Sequence, residues 1–204
     1  MDNKESIIEM LHKKQPQEVQ EQGISLALKE ENLEFILEVC NDVNYANNCA
    51  KIFSELNYDR SARYFEKLFL WIEDANKVGV DIVVKYLSKS PAKLLYSDFL
   101  KAAERDFDVH YNDLRQQLEN FFELLQNPKK DKENILKHIN KENIYELYNQ
   151  FSKTPEYELK DILRKEGTMY WSLVEILEEN NELLNLLKSD NRDFIQEMIK
   201  DAEN

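Results

Sequence analysis

The chain has 204 residues, a length that suits one domain or one domain with a helical appendage. Hydrophobic residues make up 42% of it, which is ample for a packed core and excludes disorder of the whole chain. The 40 acidic and 27 basic residues give a net charge of −13, and no basic stripe interleaved with aromatics offsets it, which argues against nucleic acid as a partner.

The scarcity of turn residues favours helices. Only 3 glycines and 4 prolines are present, whereas a β-rich fold would need more. Abundant Glu, Lys and Leu predict an all-α fold with short polar turns. The sequence has no apolar signal-peptide core and no run of membrane-span length, so we expect a cytoplasmic protein without membrane contacts. Cys40 and Cys49 occupy apolar helical positions, which predicts buried free thiols.

Prolines and polar breaks mark the element boundaries along the chain. A capping residue followed by Pro predicts a helix start, because Pro fits the first helical position. This pattern occurs at Gln15-Pro16, Ser90-Pro91, Asn127-Pro128 and Thr154-Pro155. Breaks rich in Asn and Asp are predicted at residues 41–44, 57–59 and 73–76.

Between these marks, apolar residues recur at steps of three and four, which places them on one face of a helix. The successive stripes are Leu33, Ile36, Leu37 and Cys40; Ala46, Cys49, Ala50, Phe53 and Leu56; Ala62, Phe65, Leu68, Phe69 and Ile72; Val78, Ile82 and Tyr86; and Tyr111, Leu114, Leu118, Phe121, Phe122 and Leu125. Phe35, Val39, Leu70 and Trp71 lie off the stripes, so we expect their helices to be covered on two sides. Trp71 is interpreted as a core residue rather than a binding anchor.

An internal repeat relates residues 33–53 to residues 65–85 with an offset of 32. Apolar positions coincide along both copies, and Asp42 falls on Asp74. A helix–turn–helix unit of this kind cannot bury its own faces, which predicts stacked antiparallel helix pairs. Asp42 and Asp74 are expected to cap the second helix of each pair.

The pattern changes after Asn127. Apolar segments shorten, and a nine-residue echo appears as KENILKHIN followed by KENIYELYN. A last amphipathic face follows, formed by Trp171, Val174, Leu177, Leu184, Leu187, Phe194, Ile195 and Met198. We therefore predict a helical repeat domain over residues 1–127 and a smaller helical extension over residues 128–204 that packs as its cap. A tethered second module is the alternative.

Residues 48–76 carry a motif that is found in a known family. NCAKI at residues 48–52, YF at residues 64–65 and WIxDxN at residues 71–76 resemble a family of small bacterial HEAT-like domains of unknown function. QxxGI at residues 20–24 looks like the entry helices of that family. The resemblance covers about residues 5–90 and extends at most to Gln126.

The resemblance implies a HEAT-like α–α superhelix in residues 1–127. It also implies an immunity-type or accessory protein of the kind encoded beside bacterial toxin systems, by association rather than by chemistry. The chain departs from the family at Lys77-Val78-Gly79, where the family has Trp-Pro-Gly, so only the glycine is shared.

A search of the sequence for catalytic chemistry finds none. His12, His110 and His138 are widely separated in the sequence, and the two cysteines have no histidine beside them, so no metal and no cofactor is expected. The glycines are isolated, which excludes a phosphate loop. We therefore predict a protein that is not an enzyme, although two carboxylates brought together from distant helices would still allow a hydrolase.

The candidate partner-binding residues lie at the turns of the repeat. Tyr45, Asn47 and Asn48 begin the second helix of a repeat, the helix that lines the concave face of HEAT-like stacks. Asp74 and Asn76 could line a ligand-facing edge, although a capping role is favoured for them.

The leading hypothesis is an acidic protein-binding scaffold, in a toxin setting an immunity-type inhibitor whose partner has a basic surface. Two alternatives remain. One is a nucleic-acid-acting HEAT-like enzyme, and the other is a structural subunit that self-associates through its C-terminal helices.

Overall fold

The structure is a computed structural model that describes residues 3–74, 77–107 and 168–203, and every element in these ranges is helical. The predicted all-α class is confirmed. Two compact units divide the chain, one formed by residues 1–104 with 168–204 and the other by residues 105–167. The predicted boundary at residues 127/128, the stripe from Tyr111 to Leu125 and the KEN echo lie outside the described residues.

The first unit begins with paired helices. Its elements up to residue 107 are α1 (Asn3–Met10), α2 (Gln17–Ala27), α3 (Glu34–Val39), α4 (Ala46–Glu55), α5 (Tyr58–Ser61), a 3-10 turn (Ala62–Tyr64), α6 (Phe65–Ile72), α7 (Val80–Ser88) and α8 (residues 92–107). The C-terminal elements are α9 (Thr168–Glu179), α10 (Asn181–Leu187) and α11 (Asp193–Ala202). Helix α1 packs against α2, α3 against α4, and α6 against α7.

The second helices of these pairs lie side by side. Helix α4 contacts both α2 and α7, and α9 packs on the other side of α7. Helix α9 also contacts α10 and α11, so the C-terminal helices belong to the same compact unit as the N-terminal pairs.

Two prolines begin helices as predicted. Pro16 directly precedes α2, and the carbonyl of Pro91 accepts hydrogen bonds from the N–H groups of Leu94 and Leu95 in the first turn of α8. The predicted caps are wrong. Oδ1 of Asp42 accepts from the N–H of Asn44 at 2.8 Å, which forms a local turn, and the N-cap positions of α4 and α7 belong to Tyr45 and Gly79 rather than to an aspartate.

Gly79 fixes the entry into the second helix of the later pair. Its φ of +85° lies in the left-handed region, where a Cβ is strained. A Cβ there would also come within 2.8 Å of the Cβ of Ala50 and 3.7 Å of the Trp71 ring. Glycine therefore lets the start of α7 pack directly on α4. This turn delays α7 by two residues relative to the repeat, which leaves Val78 exposed where its counterpart Ala46 is buried.

Most residues of the predicted stripes form the core, whereas Val78 and Trp171 of the stripes and the off-stripe residue Leu70 are exposed. The stripes of α4 and α6 are buried, and Trp71 is buried as expected. The predicted burial of Leu70 is wrong, because its side chain is 42% exposed. Trp171 is also exposed, and its neighbours Tyr170 and Leu173 are the buried residues at the start of α9.

Candidate functional site

A groove lies between α3 and α6 on the surface of the described residues. It has a volume of about 400 Å³. It is lined by Glu34, Leu37, Glu38, Cys40, Asn41, Lys67, Leu70, Trp71 and Lys77. Because α3 and α6 are the first helices of two successive pairs, the groove follows directly from the repeat.

Helical spacing explains the two walls. Glu34, Leu37 and Glu38 are spaced by three and four residues, so they share one face of α3. The lining residues of α6, at positions 67, 70 and 71, have the same spacing. Each wall therefore presents one charged residue near the start of its helix and apolar surface one turn later.

Hydrogen bonds from the chain just before α6 hold α3 in place. The hydroxyl of Tyr64 accepts from the N–H of Leu33 at 2.9 Å. The guanidinium of Arg60 donates to the carbonyls of Leu28 at 2.8 Å and Glu30 at 2.6 Å, which anchors the segment leading into α3. These contacts tie the chain before α6 to the segment that leads into α3.

The charges of the groove are paired at one end only. Lys67 forms an ion pair with Glu34 across the groove. Within the part of the chain that the structure describes, the carboxylate of Glu38 and the ammonium of Lys77 have no ion-pair or hydrogen-bond partner. The groove thus offers one unpaired negative group from α3 and one unpaired positive group from the turn after α6.

Trp71, which lines the same wall, also carries an unsatisfied donor. The residue is only 2% exposed, and its Nε1–H has no acceptor among the described residues. A buried donor without a partner is uncommon and costs about 1–3 kcal/mol. The indole is therefore packed as a core residue on one side while it lines the groove on the other.

Cys40 lies in the groove wall but is poorly suited to nucleophilic chemistry. Burial raises the pKa of its thiol, and the nearby Lys77 only partly opposes that effect. Its Sγ donates to the carbonyl of Leu37 at 3.1 Å. Burial likewise raises the pKa of Cys49 to about 12, so both thiols are protonated at neutral pH.

The three residues predicted at the start of α4 lie in different environments. Tyr45 is half-buried, and its ring packs edge-on against that of His12 at 5.1 Å. Asn47 is exposed, whereas Asn48 is 3% exposed. The amide of Asn48 donates to the carbonyl of Leu11 at 2.8 Å and to Oε1 of Gln20 at 2.6 Å, so it joins α4 to the first helix pair.

Asp74, another of the predicted residues, does not line the groove. Asp74 is exposed, and its carbonyl accepts from the N–H of Lys77 at 3.0 Å. Asn76 lies outside the described residues. The sequence therefore predicted a site at the turn that follows α6 and did not predict the groove. Leu70, an apolar residue outside its stripe, was the signal that pointed to it.

Residues 3–74, 77–107 and 168–203 contain no cluster of three His, Cys, Asp or Glu side chains that could hold a metal ion. His12, the histidine in these ranges, accepts a hydrogen bond at Nδ1 from the N–H of Lys14 at 3.1 Å. None of the helices described is long and apolar enough to cross a membrane.

Comparisons with models of protein families, with curated proteins and with solved structures found no match to this chain. Its function is therefore inferred from the groove and its surroundings.

Proposed function

We propose that the chain is a non-enzymatic, cytoplasmic protein-binding scaffold, and that it acts as an immunity-type inhibitor that masks the basic surface of a bacterial toxin. In this proposal residues 1–127 form a HEAT-like α–α superhelix of the family that the motif at residues 48–76 resembles, and residues 128–204 extend it. The α3–α6 groove is the observation that carries the proposal.

Two properties of the groove and the net charge of the chain support binding rather than catalysis. Leu70 exposes apolar surface next to the buried ring of Trp71, as anchor pockets at interfaces do. The buried thiol of Cys40 is protonated, so the groove lacks an activated nucleophile among its lining residues. The net charge of −13 steers a basic partner toward the protein.

Affinity capture at low and moderate salt tests the proposal when it compares the parent protein with groove variants. Leu70→Asp should abolish retention of a stoichiometric partner, because it places a carboxylate in the apolar part of the groove. Leu186→Asp on α10 is the matched control, since Leu186 is a similarly exposed leucine (38%) that does not line the groove.

A partner retained by the parent and by Leu186→Asp but lost from Leu70→Asp is the expected result. An empty column for all three proteins would contradict the proposal. Binding to a DNA duplex at physiological salt would favour the nucleic-acid alternative, and a stable homo-oligomer of the full chain would favour the self-associating subunit.

A further inference from the structure

We infer that the α3–α6 groove binds an extended peptide segment of the partner in which an apolar side chain lies between a basic residue and an acidic residue. This inference rests on the proposed binding function and specifies what the partner presents. It follows from three properties of the lining residues, namely their apolar surface, their unpaired charges and their unsatisfied donor.

The apolar surface sets the central residue of the segment. Leu37 is half-buried and Leu70 is exposed, and they contribute apolar side chains from opposite walls. Trp71 adds an aromatic ring to the same groove. A groove of about 400 Å³ lies within the range of roughly 300–1,000 Å³ found for ligand pockets, so a leucine or phenylalanine side chain can enter it.

The unpaired charges set the flanking residues. Glu34 and Lys67 neutralise each other, whereas the described structure pairs neither Glu38 nor Lys77. These two groups come from different elements, Glu38 from α3 and Lys77 from the turn after α6. A segment with one cation and one anion would satisfy both, while a uniformly basic or acidic segment would meet one repulsive contact.

The unsatisfied donor favours a peptide over a purely apolar ligand. The indole N–H of Trp71 is buried without an acceptor among the described residues. An extended backbone carries carbonyl oxygens along its length, and one brought against the ring would satisfy this N–H. The ammonium of Lys77 lines the same groove, so an acidic side chain of the segment has a donor of its own.

Fluorescence of Trp71 provides a direct test on the full-length chain. The protein has two tryptophans, and Trp171→Phe leaves Trp71 as the only one. The probes are capped heptapeptides with a central leucine flanked by lysine on one side and aspartate on the other. The expected result is a saturable change in the emission of Trp71, lost when the central leucine is replaced by serine.

Charge variants of the groove test the flanking contacts. Glu38→Gln should weaken the lysine-containing peptide about two- to fivefold and leave a peptide with alanine in place of lysine unchanged. Lys77→Gln should weaken binding of the aspartate-containing peptide by a similar factor and leave a peptide with alanine in place of aspartate unchanged. Glu66→Gln and Lys93→Gln change exposed residues that do not line the groove, so they should leave both affinities unchanged. Melting curves establish that each variant is folded.

Three results with the peptides would overturn the inference. They are no saturable change with any peptide at millimolar concentration, equal affinity for the serine peptide, and an equal effect of Glu38→Gln on peptides with and without lysine. Equally tight binding of free leucine would also overturn it, since no segment would be required. A protein partner whose capture does not depend on Leu70 would refute the inference while the scaffold proposal stands, and the absence of both peptide and protein binding would refute both.

Discussion

Replacement of Asn48 by alanine separates a structural role from a partner-binding role. Asn48 is 3% exposed, and its amide donates to the carbonyl of Leu11 and to the side chain of Gln20. Leu11 directly follows α1, and Gln20 lies on α2. The residue therefore joins three helices of the first unit, and we expect Asn48→Ala to destabilise the fold.

The expected magnitude follows from the two hydrogen bonds. Each contributes about 0.5–1.5 kcal/mol, and the Leu11 carbonyl, left buried without its donor, adds a desolvation cost of about 1–3 kcal/mol. Loss of the unsatisfied Oδ1 of Asn48 offsets part of this. We therefore expect the free energy of unfolding to fall by about 2–4 kcal/mol, which corresponds to a decrease in Tm of about 5–15 °C in a chain of this size.

Asn47→Ala is the matched control, because it changes the exposed neighbour on the same helix. It should alter stability by less than about 0.5 kcal/mol. Urea unfolding followed by circular dichroism measures both variants. Equal stabilities for Asn47→Ala and Asn48→Ala would refute the structural role of Asn48. Loss of partner binding by a fully stable Asn48→Ala protein would instead support the partner-binding role predicted from the sequence.

Three further predictions concern the rest of the first unit. Asn180 caps α10 and donates to the carbonyl of Ser90 at 2.8 Å, so Asn180→Ser, which keeps a capping oxygen, should cost about 1–3 kcal/mol in urea unfolding, and Asn180→Ala about 1 kcal/mol more. Gly79→Ala should lower the Tm, because the new Cβ meets Ala50 at a left-handed φ, and an unchanged Tm would contradict that packing. Partial desolvation, reinforced by neighbouring carboxylates, raises the pKa of the exposed Glu175, so its charge slightly destabilises the fold above pH 4.5, the ordinary pKa. Glu175→Gln should therefore raise the Tm slightly at pH 7, and the gain should disappear below pH 4.5.

The sequence predicts the elements that depend on local rules. Pro16 and Pro91 mark helix starts because the proline ring fits the first turn wherever the helix packs. The buried stripes of α4 and α6 follow from a period that is independent of neighbouring helices. These features can be predicted because they require only that one face of the helix packs against the rest of the protein.

The sequence does not predict burial on a second face of a helix, because that burial depends on whether a neighbouring helix covers the face. Leu70 is a large apolar residue that a two-sided pattern assigns to the core, and Trp171 is assigned to the last amphipathic face, yet no neighbour in the described structure buries either side chain. Asn48 is the opposite case, since a polar residue beside a turn suggests a surface while its partners lie in a different helix pair. Hydrogen-bond partners distant in sequence leave no periodic signal.

The groove combines both kinds of information. The spacing that presents Leu37 and Leu70 on facing walls is visible in the sequence, as is the offset that relates α3 to α6. The separation of the walls is not visible in the sequence. Arg60 and Tyr64 reach back to carbonyl and N–H groups some thirty residues earlier, and such contacts leave no local pattern. If those contacts set the width, Arg60→Ala should change peptide affinity without altering any residue that lines the groove, whereas a merely stabilising role would lower the Tm and leave the affinity of the folded protein unchanged.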